Sequence, residues 1–237
     1  MADRERSRAK SATHNAIKLA GLAGLLSIAL GIAGVIIDQM WTFPGTGATA
    51  GEIAGFVHAH RSALLAAMVL NTAAVGLCLV FGVGVWQWLR EATGGESAMS
   101  MCFLVGLVSF VTLLLAGFTC FFVLVYRSAD VSDPRLLYDL AFGLLAMSGI
   151  PTALALGSYA ALVFRDDRLP RWTASMAAVA ALAHLVLLAS LLIASGFFSL
   201  EDGVTIAIPG TLFAWIAGTS MAMMSAGRPE ASIGSSA

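Results

Sequence analysis

Charge is scarce in this chain. Asp, Glu, Lys and Arg make up 11% of its 237 residues, against about 25% in a typical soluble domain. Hydrophobic residues make up 59%. A water-soluble fold of this size would have to expose much of that apolar surface, and a bilayer removes the conflict. Lysine is nearly missing, with only Lys10 and Lys18. No late apolar run holds one, so a retinal-type Schiff base is excluded. The formal net charge is -1, so no basic field exists for nucleic acid.

Other absences remove whole chemistries. The chain has no GxxxxGK[ST] phosphate loop, no HExxH zinc signature and no GxSxG elbow. No apolar run carries an arginine ladder or two aspartates. A bis-histidine haem needs two histidines at matched depth; His184 has no such partner, because the other histidines fall at or beyond the ends of the runs. The three cysteines, Cys78, Cys102 and Cys120, all lie in apolar runs, so they read as small packing residues. No catalytic set, metal site or cofactor is expected.

What the chain does have is long apolar runs. A spanning helix needs about 20 such residues, and six runs qualify: Ile17–Ile37, Ser62–Trp88, Met99–Tyr126, Leu136–Phe164, Trp172–Gly196 and Val204–Met224. The expected fold is an all-α membrane protein, a six-transmembrane-helix bundle over residues 17–226. A basic cytoplasmic tail over 1–16 precedes it, and a disordered polar tail over 227–237 follows. The first run lacks a small-x-small cleavage site and reads as a retained span. Between the first two runs, Ile53, Phe56 and Val57 at helical spacing predict a short interfacial helix in the first external loop.

Orientation follows the placement of Arg and Lys. Arg4, Arg6, Arg8, Lys10, Lys18, Arg90, Arg165, Arg168, Arg171 and Arg228 collect on one side, and only Arg61, Arg127 and Arg135 on the other. Both termini are therefore expected in the cytoplasm. The bias to arginine and alanine over lysine fits a high-GC bacterial genome, and the expected location is a bacterial inner membrane. Trp41, Trp86, Trp88, Tyr126 and Trp172 sit where interfacial anchors belong.

Spans pack in lipid through close approach and scattered hydrogen bonds, so small residues at helical spacing predict inner faces. Such stripes are Ala20, Gly24, Ser27, Gly31 and Gly34 in the first span, and Ala67, Asn71, Ala74, Cys78 and Gly82 in the second. The third has Gly106, Ser109, Thr112, Ala116 and Thr119, and the fourth Asp139, Gly143, Ala146, Ala153 and Gly157. The first stripe serves internal packing or a homo-oligomer equally well. Pro151, and Pro209 with Gly210, weaken backbone bonding and are candidate hinges, or else static kinks.

Polar residues inside spans are functional hypotheses. His184 falls about 18 Å into the fifth span by helical rise. It reads as a proton relay, a ligand contact, a metal ligand, or a neutral imidazole bonded to a neighbouring hydroxyl. Asp139 could pair with Arg135 or Arg61, and Asn71 could bond across helices. Thr112 and Thr119 could join a pathway or bond their own backbone. Asn71, Thr119, Asp139 and His184 together predict one cavity from the outer half to the midplane, provided their faces point inward. His58, His60 and Glu52 read mainly as solvated side chains.

The stretch GSYAALVFRDDRLPRWTASMAAVAALAHLVLLAS from Gly157, Leu169–Trp172 within it, and Trp215 in the final span resemble a bacterial six-span family, the domain of unknown function 4386 family. The resemblance implies fold and membrane location and supplies no substrate, cofactor or catalytic residue. Two functions remain open. One is binding of a lipid-like or small apolar ligand, or of a membrane partner; the other is small-solute or proton-coupled transport through His184 and Asp139. An intramembrane enzyme has only His184, Asp139 and hydroxyls to work with.

Overall fold

The computed structural model describes residues 2–45, 47–95, 97–128, 130–166, 170–193, 196–199 and 203–225, with side chains from Asn15 onward except at 205 and 206. The expected tail 227–237 lies outside the described residues, as do Arg168, Leu169, Glu201, Asp202 and Arg228. Among the described residues seven α-helices follow one another: α1 Ala2–Asp38, α2 Ala50–Ala92, α3 Ala98–Tyr126, α4 Pro134–Met147, α5 Gly149–Val163, α6 Arg171–Leu187 and α7 Val204–Ser225. No strand occurs among the described residues. Six stretches are long and apolar enough to cross a membrane, with α4 and α5 together forming the fourth. The protein is a multi-pass membrane bundle. Its large apolar side chains point outward as a belt for lipid, with Leu19 and Leu182 each 66% exposed.

Three boundaries differ from the sequence expectation. The basic segment before residue 17 is helical and continuous with the first span. The fourth span breaks at Ser148. Pro151 causes this, because it has no N–H to offer the Met147 carbonyl, and a helix loses its ladder one turn before a proline. The fifth span stops being α-helical at Leu187 and continues as a 3₁₀ helix, Leu188–Leu192.

The segment Glu52–His60 is helical and runs without a break into the second span. It opens on Thr49, whose hydroxyl oxygen accepts from the Glu52 N–H while the Glu52 carboxylate accepts from the Thr49 N–H. Its apolar stripe is buried inside the protein. Ile53 and Val57 pack with Phe121, Val125 and Tyr138 of α3 and α4. At the other end of this first connection, the Tyr138 hydroxyl donates to the Pro44 carbonyl at 2.7 Å.

Short connections make successive spans antiparallel. The start of α1, the end of α7 and the α2–α3 and α5–α6 connections share one end of the bundle, here the terminal end. The α1–α2, α3–α4 and α6–α7 connections share the other, the loop end. In space the spans close into a ring: α1 packs on α2, α2 on α3, α3 on α5, α5 on α6, α6 on α7, and α7 back on α1. Glycines set the tightest crossings. A Cβ at Gly34 would overlap the Asn71 amide, and one at Gly149 would overlap the His184 carbonyl oxygen. Gly24 and Gly31 likewise face Phe81 and Phe213. The first-span stripe is thus consumed by α2 and α7 within one molecule.

The centre of the ring is filled at the terminal end and hollow at the loop end. Phe81, Phe103, Tyr159 and Trp215 are all buried and form an aromatic plug. Trp215 meets Phe81 and Tyr159 edge-to-face, at centroid distances of 5.6 and 5.2 Å; such pairs contribute about 0.5–1.5 kcal/mol each beyond their buried area. The buried Tyr159 hydroxyl lies 2.8 Å from the Thr173 hydroxyl, so the plug's phenol is hydrogen-bonded.

A candidate ligand cavity between the spans

Above the plug lies a cavity of about 240 Å³. A cavity of about 150 Å³ already accepts benzene. Every span contributes to its wall: Ser27, Gly31 and Val35 from α1, Asn71 and Cys78 from α2, Phe110 and Leu114 from α3, Phe142 and Ser148 from the fourth span, His184 from α6 and Leu212 from α7. It runs from Asp38 and the exposed Gln39 at the loop end down to Ser27. That is about 16 Å along α1 at a helical rise of about 1.5 Å per residue. Phe43, Phe118, Phe121, Phe142 and Phe213 give the wall its apolar character. Phe43 folds in from the first connection and meets Phe121 and Phe142 at centroid distances of 6.1 and 5.9 Å.

Polar groups occur at the mouth and on the deeper wall. At the mouth, the Asn71 amide donates to Asp38 Oδ2 at 3.1 Å. Asp38 Oδ1 is buried and has no hydrogen-bond partner among the described residues. The register of α1 against α2 creates this pair, because Gly34 leaves room for the Asn71 amide one turn below Asp38. Deeper, the Ser27 hydroxyl donates to the Ala74 carbonyl at 2.8 Å and the Ser148 hydroxyl to the Leu145 carbonyl at 2.6 Å. Both hydroxyl protons are therefore used within the protein.

His184 is 3% exposed, and its Nδ1 lies 2.8 Å from the Ala180 carbonyl. A carbonyl only accepts, so Nδ1 carries the hydrogen and Nε2 of the neutral ring is an acceptor. Its partner is thus the backbone of its own helix. The ring is held where the fourth and fifth spans cross most closely, at Gly149 beside the Ser148 break.

The structure brings together only part of the expected constellation. Asn71 and His184 line the cavity, and so does Pro209, within a continuous α7. Thr112 and Thr119 lie on the exposed face of α3 and donate to the Val108 and Leu115 carbonyls of the preceding turn. Asp139 is exposed and lies 3.6 Å from Arg135, one turn away on the same helix. Gly143 and Gly157 meet no close neighbour, and Gly210 is exposed. Two assumptions caused these misplacements. In α3 the inner face is made of Phe103, Phe110, Leu114 and Phe121 with Gly106 and Gly117, because a ring with a hollow centre needs bulky inward side chains. In the fourth span the break at Ser148 resets the helical phase, so the buried stripe becomes Tyr138 and Ala141, then Thr152, Ala155 and Tyr159.

Asp38, Gln39, Ser148 and the phenylalanines were not singled out from the sequence. For Asp38 a signal exists: it ends an apolar run, and antiparallel pairing of Gly34 with Asn71 places it over an amide. Around the first connection, His60 lies 4.3 Å from the Trp41 ring, and no group of three metal-ligating side chains occurs among the described residues. Compared with protein-family models, with curated proteins and with solved structures, the chain matches none.

Proposed function

We propose that this is a bacterial inner-membrane protein, both termini in the cytoplasm, that binds a small lipid-like ligand in the cavity between its spans. The observation that carries the reading is the cavity itself. It is hollow, walled by phenylalanines, polar at its mouth and closed beneath by the Trp215 plug. Pockets that take small molecules have this form, apolar walls with a few placed polar groups. The bias of Arg and Lys toward the terminal end supports the orientation, which puts the mouth on the outer side. The extension of α2 before Arg61 then stands at the outer interface, where Arg61 reaches the Tyr126 carbonyl at the end of α3. Kinship with the domain of unknown function 4386 family rests on short motifs and belongs to the same proposal.

Leu114→Trp tests the reading. Leu114 lines the cavity, and an indole there fills space that is otherwise empty, so the fold should tolerate it at roughly 1–3 kcal/mol or less. Wild-type protein purified in detergent should carry small amphiphiles, detected by mass spectrometry of the extract, that the variant lacks. Identical extracts from two folded proteins would reject a cavity ligand.

A second reading, proton-coupled transport, is favoured by His184, an ionisable side chain that lines the cavity with the Ser148 break. Asp139 lies off the cavity, so its carboxylate partner in that reading is Asp38. Liposomes containing the protein should then pass protons or solute faster than empty ones, and equal rates remove this reading.

A further inference from the structure

We infer that the cavity receives a lipophilic amine, with its ammonium group against Asp38 and its apolar body among the phenylalanines. This rests on the cavity reading and adds the ligand's chemical class. Hydrogen-bond accounting leads to it. The donors of Ser27 and Ser148 are spent on backbone carbonyls, and the Nδ1 hydrogen of His184 points at Ala180. The Asn71 amide places one of its two hydrogens on Asp38 Oδ2. At the mouth the buried atom left without a partner is an acceptor, Asp38 Oδ1, and deeper in the wall His184, with its Nδ1 hydrogen on Ala180, offers Nε2 as a further acceptor. A ligand group seated against Asp38 Oδ1 must therefore donate, which disfavours a carboxylate or a phosphate there.

Charge sharpens the choice. A carboxylate shielded from water is stable only when a cation or further donors compensate it. Asp38 has one amide donor and no ion pair among the described residues. An ammonium supplies both the charge and the missing donor, in a bond about twice as strong as a neutral one. The same end holds Phe43, Phe121 and Phe142, whose ring faces also attract cations. The cavity as a whole holds about 240 Å³, which suits a single ring with a short chain.

The experiment uses three probes with one skeleton: phenylbutylamine, phenylbutanol and phenylbutyrate. Binding to the detergent-purified full chain is measured by calorimetry, and Leu114→Trp corrects for partition into the micelle. The amine is expected to bind at least ~10-fold more tightly than the alcohol, the size of one charge-assisted hydrogen bond, and the acid least. In Asp38→Asn the amine should fall to the level of the alcohol, while alcohol binding persists. An alcohol that binds wild-type protein as tightly as the amine overturns the amine assignment and leaves the cavity reading standing. An amine preference that survives in Asp38→Asn overturns the role of Asp38. If none of the probes distinguishes wild-type protein from Leu114→Trp, the cavity reading falls, and the amine with it. Should Asp38→Asn fail to fold, the wild-type series alone decides between amine and alcohol.

Discussion

At the scale of single residues, the bundle depends on side chains that are absent. Gly149 carries no Cβ where the His184 carbonyl approaches, and that contact fixes the fourth span against the fifth beside the cavity floor. The obstacle is backbone, which cannot rotate away as a side chain can. Gly149→Ala should therefore destabilise the protein by about 1–3 kcal/mol, the cost of overpacking a close crossing. It should also shift the His184 ring. Thermal unfolding in detergent reads the first effect, and a midpoint equal to wild type would mean that the two spans are free to separate. Asp38 shows the complementary case. One carboxylate oxygen has the Asn71 amide and the other, shielded from water, has no partner among the described residues.

At the scale of elements, two helices are shaped by their ends. The 43-residue α2 is far longer than a membrane needs, since about 20 residues cross the hydrocarbon. Its first turns exist because Thr49 and Glu52 satisfy each other's backbone donors and because Ile53 and Val57 pack against α3 and α4. Thr49→Ala removes the bond from the Glu52 N–H to the Thr49 hydroxyl oxygen, leaves the Thr49 N–H on the Glu52 carboxylate, and should cost about 1 kcal/mol, felt locally. Hydrogen exchange checks it: amides from Glu52 to Phe56 should exchange several-fold faster, with those after Leu64 unchanged. Uniform exchange along α2 would show that packing alone holds this end. The fourth span is shaped by Pro151, which divides it at Ser148 and turns its buried face. That division places Ser148 and His184 on one cavity wall.

At the scale of the whole molecule, the ring of spans is asymmetric along its axis. The aromatic plug fills the terminal end, while the loop end opens beside Gln39 under the Phe43–Pro44 segment that Tyr138 holds. Under the ligand-binding reading proposed above, the asymmetry makes sidedness a functional matter, because the ligand would enter from the side the mouth faces. A cysteine introduced at Asp166 should resist a membrane-impermeant thiol reagent in intact cells, and one at Thr42 should react. The opposite pattern would invert the bundle and turn the mouth to the cytoplasm. The native Cys78, Cys102 and Cys120 lie in the spans and should contribute little background.

Composition and run length alone determined that six stretches of the described residues are long and apolar enough to cross a membrane, because apolar segments of that length have no stable home in water. Helical spacing also placed the first two inner faces, Ala20 to Gly34 and Ala67 to Gly82, since close helix contact admits only small residues there. It misled in α3 and in the fourth span. Thr112, Thr119 and Asp139 looked inward on spacing, yet a hydroxyl can satisfy itself on its own helix and an acid on its neighbouring turn. Which spans touch, and so which faces are inner, is a non-local outcome that no single helix encodes. Only the closed ring decided that the centre is hollow at one end, that phenylalanines line it, and that Asp38, Asn71 and His184, far apart in the chain, share one cavity.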